Sequence, residues 1–315
     1  MFFPIMADPA KGPKPVPSPL RIGLIGTRGQ LGQELARRFS EADLSPGIEL
    51  HALDRPSFDI TDPASLAGLA GSGFDVVVNT SAYNAVDAAE TAVRECFELN
   101  AFAPLFLARA CREAGAALVH VSTDYVMSGG VHEEEQIPYP EEAPTRPLSV
   151  YGLSKATGER LVMENWDRSW IVRTCGLYGG SGSGQKGGNF VTTMIRLARE
   201  GRPLRVVSDQ RVGPTAARDL ARGIARLVTG SFPFGLWHLT NGGHASWYEF
   251  AQKIFELTGL SPELTPIPLA SYRPAAPRSP FSVLSNEKAH RAGIVLPPWE
   301  SALEDFLGQN GLIPS

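Results

Sequence analysis

The stretch Ile22-Gly23-Leu24-Ile25-Gly26-Thr27-Arg28-Gly29-Gln30-Leu31-Gly32 decides how this chain folds. A short apolar run of strand length enters a G-x-x-G-x-x-G turn, after which Leu31, Leu35 and Phe39 recur at helical spacing. Strand, glycine turn and helix in direct succession open a βαβ unit. Glycines permit the tight turn and let backbone approach a pyrophosphate, while the helix N-terminus offers free N–H groups and a positive dipole end. The next apolar run, Ile48–Leu53, ends on Asp54, where an acidic residue would meet a ribose hydroxyl. Gly26, Arg28, Gly29, Gln30, Leu31, Gly32 and Asp54 therefore form a candidate dinucleotide site.

Working outward, strand-like runs recur at Phe74–Asn79, Ala117–Ser122, Trp170–Arg173 and Leu204–Val207, separated by helical stretches such as Val86–Gly115 and Val150–Asn165. This alternation predicts an α/β chain: a Rossmann-type doubly wound parallel sheet with a smaller, interleaved C-terminal substrate lobe. Six prolines between Pro4 and Pro19 exclude helix or central strand, so residues 1–20 read as a flexible tail. Residues 21–178 read as the NAD(P)-binding domain and 179–315 as the smaller substrate lobe. A segment near 204–243 is expected to return to the main sheet through Leu204–Val207 and Leu236–Leu239. Six glycines in 179–188 suggest a mobile loop near the substrate, and six prolines in 261–280 a wall of its pocket.

Composition narrows the function. Lys+Arg 29 against Asp+Glu 33 gives a net charge of −4, and no Lys/Arg run appears, which speaks against nucleic acid. Hydrophobic residues at 43% suffice for a sizeable core. Cys96, Cys111 and Cys175 have neither CxxC nor His spacing and read as buried thiols, with no metal site expected from them. No apolar run reaches the eighteen or so residues of a membrane span, and MFFPIM lacks the charged start of a signal peptide. The expectation is a cytoplasmic protein with a small-molecule substrate, no membrane partner, and a homodimer left open.

Asp54 favours the free 2′-hydroxyl of NAD, whereas Arg28 and Arg55 can pair with the 2′-phosphate of NADP; the reading leans slightly to NADP, with NAD as an alternative. Asp59 and Ile60 are placed to reach adenine, while Asp62 either joins them or caps the following helix. Tyr151-Gly-Leu-Ser-Lys155 sets a phenol and an ammonium one helical turn apart, downstream of the hydroxyl-bearing strand end Ser122-Thr123-Asp124-Tyr125. An ammonium nearby would lower the phenol's pKa and suit Tyr151 to protonate a carbonyl oxygen that receives hydride.

These stretches resemble the extended short-chain dehydrogenase/reductases, and within them the dTDP-4-dehydrorhamnose reductase family. The resemblance is carried by GTRGQLG at 26–32, VVNTSAYNAVDAAE at 77–90, VSTDYV at 121–126 and PLSVYGLSKATGE at 147–159. NFVTTMIRLA at 189–198, VVSDQRVGPT at 206–215 and SWYEFA at 246–251 complete it, in family order from about residue 22 to 307. It implies NAD(P)H-dependent reduction of the 4-keto group of a nucleotide-linked deoxysugar. Thr123 would hold the keto oxygen, Tyr151 would protonate it, and Lys155 would bind the nicotinamide ribose. Ser81, Ala82 and Tyr83 would line the cofactor, and Val86, Asp124 and Tyr125 the sugar. Gly176 stands where the family usually has a tryptophan, and the family's arginine-proline-x-x-serine stretch survives loosely as Arg278-Ser279-Pro280-Phe281-Ser282. The alternatives are another 4-keto-deoxysugar, or a non-catalytic NADP-binding subunit resembling the methionine adenosyltransferase beta subunit.

Overall fold

The computed structural model describes residues 19–44, 47–180 and 188–313. Six strands form one parallel sheet: β1 (Leu20–Ile25), β2 (Ile48–Leu53), β3 (Val76–Asn79), β4 (Ala117–Thr123), β5 (Ser169–Thr174) and β6 (Gly235–His238). Their spatial order is β6-β5-β4-β3-β1-β2. The order reverses between β1 and β3, so the crevice outside the carboxyl ends of those strands is where an open α/β sheet binds its ligand.

Strand alternation builds a core on each face. In β3, Val76 and Val78 join Ile22, Leu24, Val119 and Val172 on one side, whereas Val77 joins Ile25, Leu118 and Ile171 on the other. Helix α1 (Gln30–Phe39) lays Leu31, Leu35 and Phe39 on the first face, beside the helix Ala217–Thr229. Helices α2 (Ala103–Ala114) and α3 (Val150–Asn165) cover the second. The helical stretch 86–115 is interrupted: Val86–Ala89 and Val93–Phe97 are short helices, and Glu98–Phe102 is a π-helical turn before α2.

A separate core joins Tyr178, Val191, Ile195, Phe250, Ile254, Trp299 and Leu303, drawn from the helices Phe190–Arg199, Trp247–Thr258 and Trp299–Gln309. Leu204–Val207 belongs here, paired with Leu264–Ile267, and not to the main sheet as the sequence reading has it. The residues around Leu236 do join the sheet, as β6 beside β5. Apolar content marks a strand but carries no information about its partner, which is why the two runs read alike in sequence. Residues 1–18 of the expected tail and 181–187 of the expected mobile loop lie outside the described residues.

Candidate active site

The glycine turn is shaped by close backbone contact. Gly26 has φ +87°, and a Cβ on Gly32 would lie 2.0 Å from the Gly26 carbonyl oxygen, so neither position accepts a side chain without moving backbone. Gly29 directly precedes α1, leaving the helix's first N–H groups facing the crevice. This cradle of close backbone and helix N–H donors fits a dinucleotide pyrophosphate, while the buried Gln30 Oε1, an acceptor with no hydrogen-bond partner, suits a donor such as a ribose hydroxyl.

The Asp54 carboxylate braces the turn: it accepts from Gly26 N (3.2 Å) and Thr27 N (3.1 Å) and from the Thr27 hydroxyl. The turn exposes amide donors beside a strand end, and the carboxylate satisfies them. Arg28 Nη2 donates to the Arg55 carbonyl at 2.9 Å, which brings the two arginine-bearing segments together. Asp59 accepts from the amide and hydroxyl of Thr61, and the Ile60 side chain is buried in the core under the sheet. Neither residue is among those lining the cleft described below. Asp62 caps the helix Pro63–Ala67 through Ala64 N and Ser65 N.

A cleft of about 660 Å³ opens at the carboxyl ends of the strands. Its walls include Gly29, Gln30, Leu31 and Gly32 at one end, Ala82 and Val86 along one side, and Thr123, Asp124, Tyr125, Tyr151 and Lys155 on the floor. Ser81 and Tyr83 stand behind it. The Ser81 hydroxyl donates to Asn79 Oδ1 (2.6 Å), and the Tyr83 backbone is pinned by Asn100, whose Oδ1 accepts from Tyr83 N (2.8 Å) and whose Nδ2 donates to Tyr83 O (3.0 Å).

Two glycines let α3 approach this floor. A Cβ on Gly152 would sit 2.3 Å from Tyr125 O, and one on Gly158 would sit 2.1 Å from Asn100 O. Ser149 caps the helix by accepting from Gly152 N, and so points the first turn, with Tyr151, at the end of β4. Tyr151 is 8% exposed and meets Tyr125 edge-on, with ring centroids 5.3 Å apart. Burial raises the Tyr151 phenol well above its ordinary pKa, while its hydrogen bond with Thr123 opposes the rise. Desolvation is the largest influence on the phenol, so it moves opposite to the lowering that a nearby ammonium alone would give. Lys155 is fully buried, donates to Val121 O at 2.6 Å, and is itself drawn down to about 8 by burial, against the attraction of Glu159.

Beneath the floor lies a polar row with no counterpart in the sequence reading. Glu159, one turn beyond Lys155, forms a bidentate ion pair with Arg173 of β5 and accepts from Ser122 Oγ at 2.5 Å. His238 of β6 touches Arg173 at 3.4 Å and is held down to about 3, neutral, chiefly by burial. Other cleft residues come from far along the chain: Asn189, Phe190, Gln210 and Trp247 from the second core, and Arg278, Ser279 and Ser282 from the proline-rich stretch. Their motifs stood out in sequence, but nothing local told which of their residues face the site. Gly176 lines the cleft with φ +54°, its Cα side closed off by Pro214 and Gly213.

Three comparisons bear on this geometry. A probable dTDP-4,6-dihydroxy-2-methyloxan-3-one 4-ketoreductase of Streptomyces antibioticus is 38% identical over 288 residues, covering 90% of this chain and 92% of that protein. A dTDP-4-dehydrorhamnose reductase of Mycobacterium tuberculosis is 37% identical over 289 residues, covering 91% and 92%. The crystal structure of dTDP-4-dehydrorhamnose reductase from Bacillus anthracis in complex with NADP superposes with a TM-score of 0.84 at 32% identity, covering 92% of this chain and 99% of that one. The family described as RmlD substrate binding domain matches residues 20–311, nearly all that is described, and with relatives of this similarity along nine-tenths of its length the chain belongs to that family.

Proposed function

We propose that this chain reduces the 4-keto group of dTDP-4-dehydro-L-rhamnose with NADPH to give dTDP-L-rhamnose. The observation that carries the proposal is the grouping of Thr123, Tyr151 and Lys155 on the floor of a cleft whose other end is the Gly26–Gly32 turn. That spacing suits a ligand with a phosphate-bearing end and a reacting end. The gathering of Arg28 and Arg55 supports a 2′-phosphate, in keeping with the NADP bound by the Bacillus anthracis relative.

NADPH, when bound, supplies the hydride that adds to C4 of the sugar. As that C–H bond forms, the carbonyl π electrons move to O4, which takes the hydroxyl proton of Tyr151. Burial keeps Tyr151 protonated until it is needed, and penalises the phenolate that remains. The Lys155 ammonium is the group at hand to stabilise that anion. Val86, Asp124 and Tyr125 would bound the sugar, and Ala82 the nicotinamide side.

A second substrate reading rests on Gly176, which leaves the sugar wall without a side chain, and on the 4-ketoreductase relative from Streptomyces antibioticus. Both readings are tested by following NADPH and NADH oxidation at 340 nm over a panel of dTDP- and GDP-linked 4-keto sugars. Turnover strongest on dTDP-4-dehydrorhamnose supports the first. Turnover confined to another keto sugar replaces it with the second, and none on any panel member removes both.

A further inference from the structure

The catalytic hydroxyl of Thr123 has one hydrogen to give and two claimants. In the structure it donates to Asp124 Oδ1 at 3.1 Å, while its oxygen accepts from Tyr125 N at 3.2 Å. Stabilising a keto oxygen as it gains charge requires that same hydrogen to turn into the cleft. Asp124 is 4% exposed, and a carboxyl so buried holds its donors strongly. What loosens that hold is a second donor: Ser282 Oγ donates to Asp124 Oδ2 at 2.6 Å, from a residue 158 positions away.

We propose that Ser282 is a positioning residue for the keto reduction: by donating to Asp124, it frees the Thr123 hydroxyl to turn to the substrate's keto oxygen. The proposal rests on the reductase reading above and gives a role to the arginine-to-serine stretch, which that reading leaves unused. The stretch is strapped in place on both sides. Arg278 pairs with Asp87 (Nη2 to Oδ2, 2.9 Å), Ser279 Oγ donates to Glu133 Oε2 (2.7 Å), and Ser282 N donates to Arg211 O (3.1 Å). Ser282 itself is 4% exposed, at the wall of the cleft. The other groups facing Asp124 are the phenols of Tyr125 and Tyr151 and the Cys175 thiol, which also hydrogen-bonds to Asp124, behind Ser282 in its influence, and accepts from Gly213 N at 3.3 Å. Burial raises the Asp124 carboxyl, and the Ser282 hydrogen bond is the foremost influence lowering it.

The test compares Ser282→Ala and Ser282→Thr with wild type, alone and in an Asp124→Asn background. Ser282→Ala should lower kcat about 10–100-fold, a part of what one lost oxyanion donor costs, with KM within about twofold. Ser282→Thr, which keeps the hydroxyl, should restore most of kcat, and Ser282→Ala should cost nothing further once Asp124 is Asn. Unchanged kcat, a loss confined to KM, or full additivity with Asp124→Asn overturns the proposal. A second measurement needs no substrate: the carboxyl band that Asp124→Asn removes from the infrared spectrum is titrated with pH. Its midpoint should rise by about one unit or more in Ser282→Ala, and an unmoved midpoint overturns the proposal whatever sugar the enzyme accepts. Failure of wild type on every keto sugar counts against the reductase reading alone, because the infrared titration still decides the role of Ser282.

Discussion

Replacing Glu159 by Gln tests how the floor of the cleft is supported. Glu159 and Arg173 are each 2% exposed, joined by Nε–Oε1 at 2.9 Å and Nη2–Oε2 at 2.7 Å. Gln keeps the shape but leaves the guanidinium without an anion and turns an NH₂ toward its N–H groups. The neighbouring His238, held neutral, cannot compensate. Removing one partner of a buried pair costs about 3–5 kcal/mol. With an unfolding entropy of roughly 2.1 cal/mol/K per residue, near 0.66 kcal/mol/K for about 315 residues, Tm should fall by about 5–8 °C. Because Glu159 also holds up the Lys155 ammonium, the alkaline limb of the kcat profile should move to lower pH. Adding Arg173→Met removes the stranded charge and should recover at least half of the lost Tm. The assays are differential scanning calorimetry and a pH series of turnover. A Tm change under about 2 °C, or a double variant less stable than Glu159→Gln, would refute the view that this pair acts as a coupled buried unit.

Three further outcomes follow from the site. Tyr151→Phe should lower kcat by about 10²–10⁴-fold with NADPH affinity, read by fluorescence titration, nearly unchanged, since only the transferred proton is lost; retained turnover would remove Tyr151 as the acid. Gly32→Ala places a Cβ 2.0 Å from Gly26 O, and should weaken NADPH binding by more than tenfold while the circular dichroism spectrum stays that of wild type. Lys155 is lowered from 10.5 to about 8 in the fold, so its ammonium is present below that pH and lost above it; NADPH affinity should decline as pH rises through about 8, and a flat profile from about 6.5 to 9.5 would contradict this. Between about 8 and 10.5 the unfolded chain binds the extra proton, so Lys155 on its own makes stability rise with pH across that window.

Much of the frame is legible in local pattern. The run Val76-Val77-Val78 alternates between two cores, and Leu31, Leu35 and Phe39 repeat on one helix face, because side-chain direction follows chain periodicity. Helix α3 begins and ends where the helical stretch Val150–Asn165 says it should. The interrupted helix at 86–115 is less legible, since the π turn that carries Asn100 inward depends on Gly158 opening room across a helix interface.

The sequence by itself determined the periodic sheet, the glycine turn, and the pairing of Tyr151 with Lys155 one helical turn apart, all of which are properties of neighbours along the chain. Tertiary structure alone decided that Leu204–Val207 pairs with Leu264–Ile267, that Asp54 serves the turn, and that the Tyr151 phenol is raised. It likewise decided that Ser282 meets Asp124 and Arg173 meets Glu159. Hydrogen-bond partners and desolvation depend on which distant segments exclude water from a given atom, and no spacing rule in one dimension carries that information.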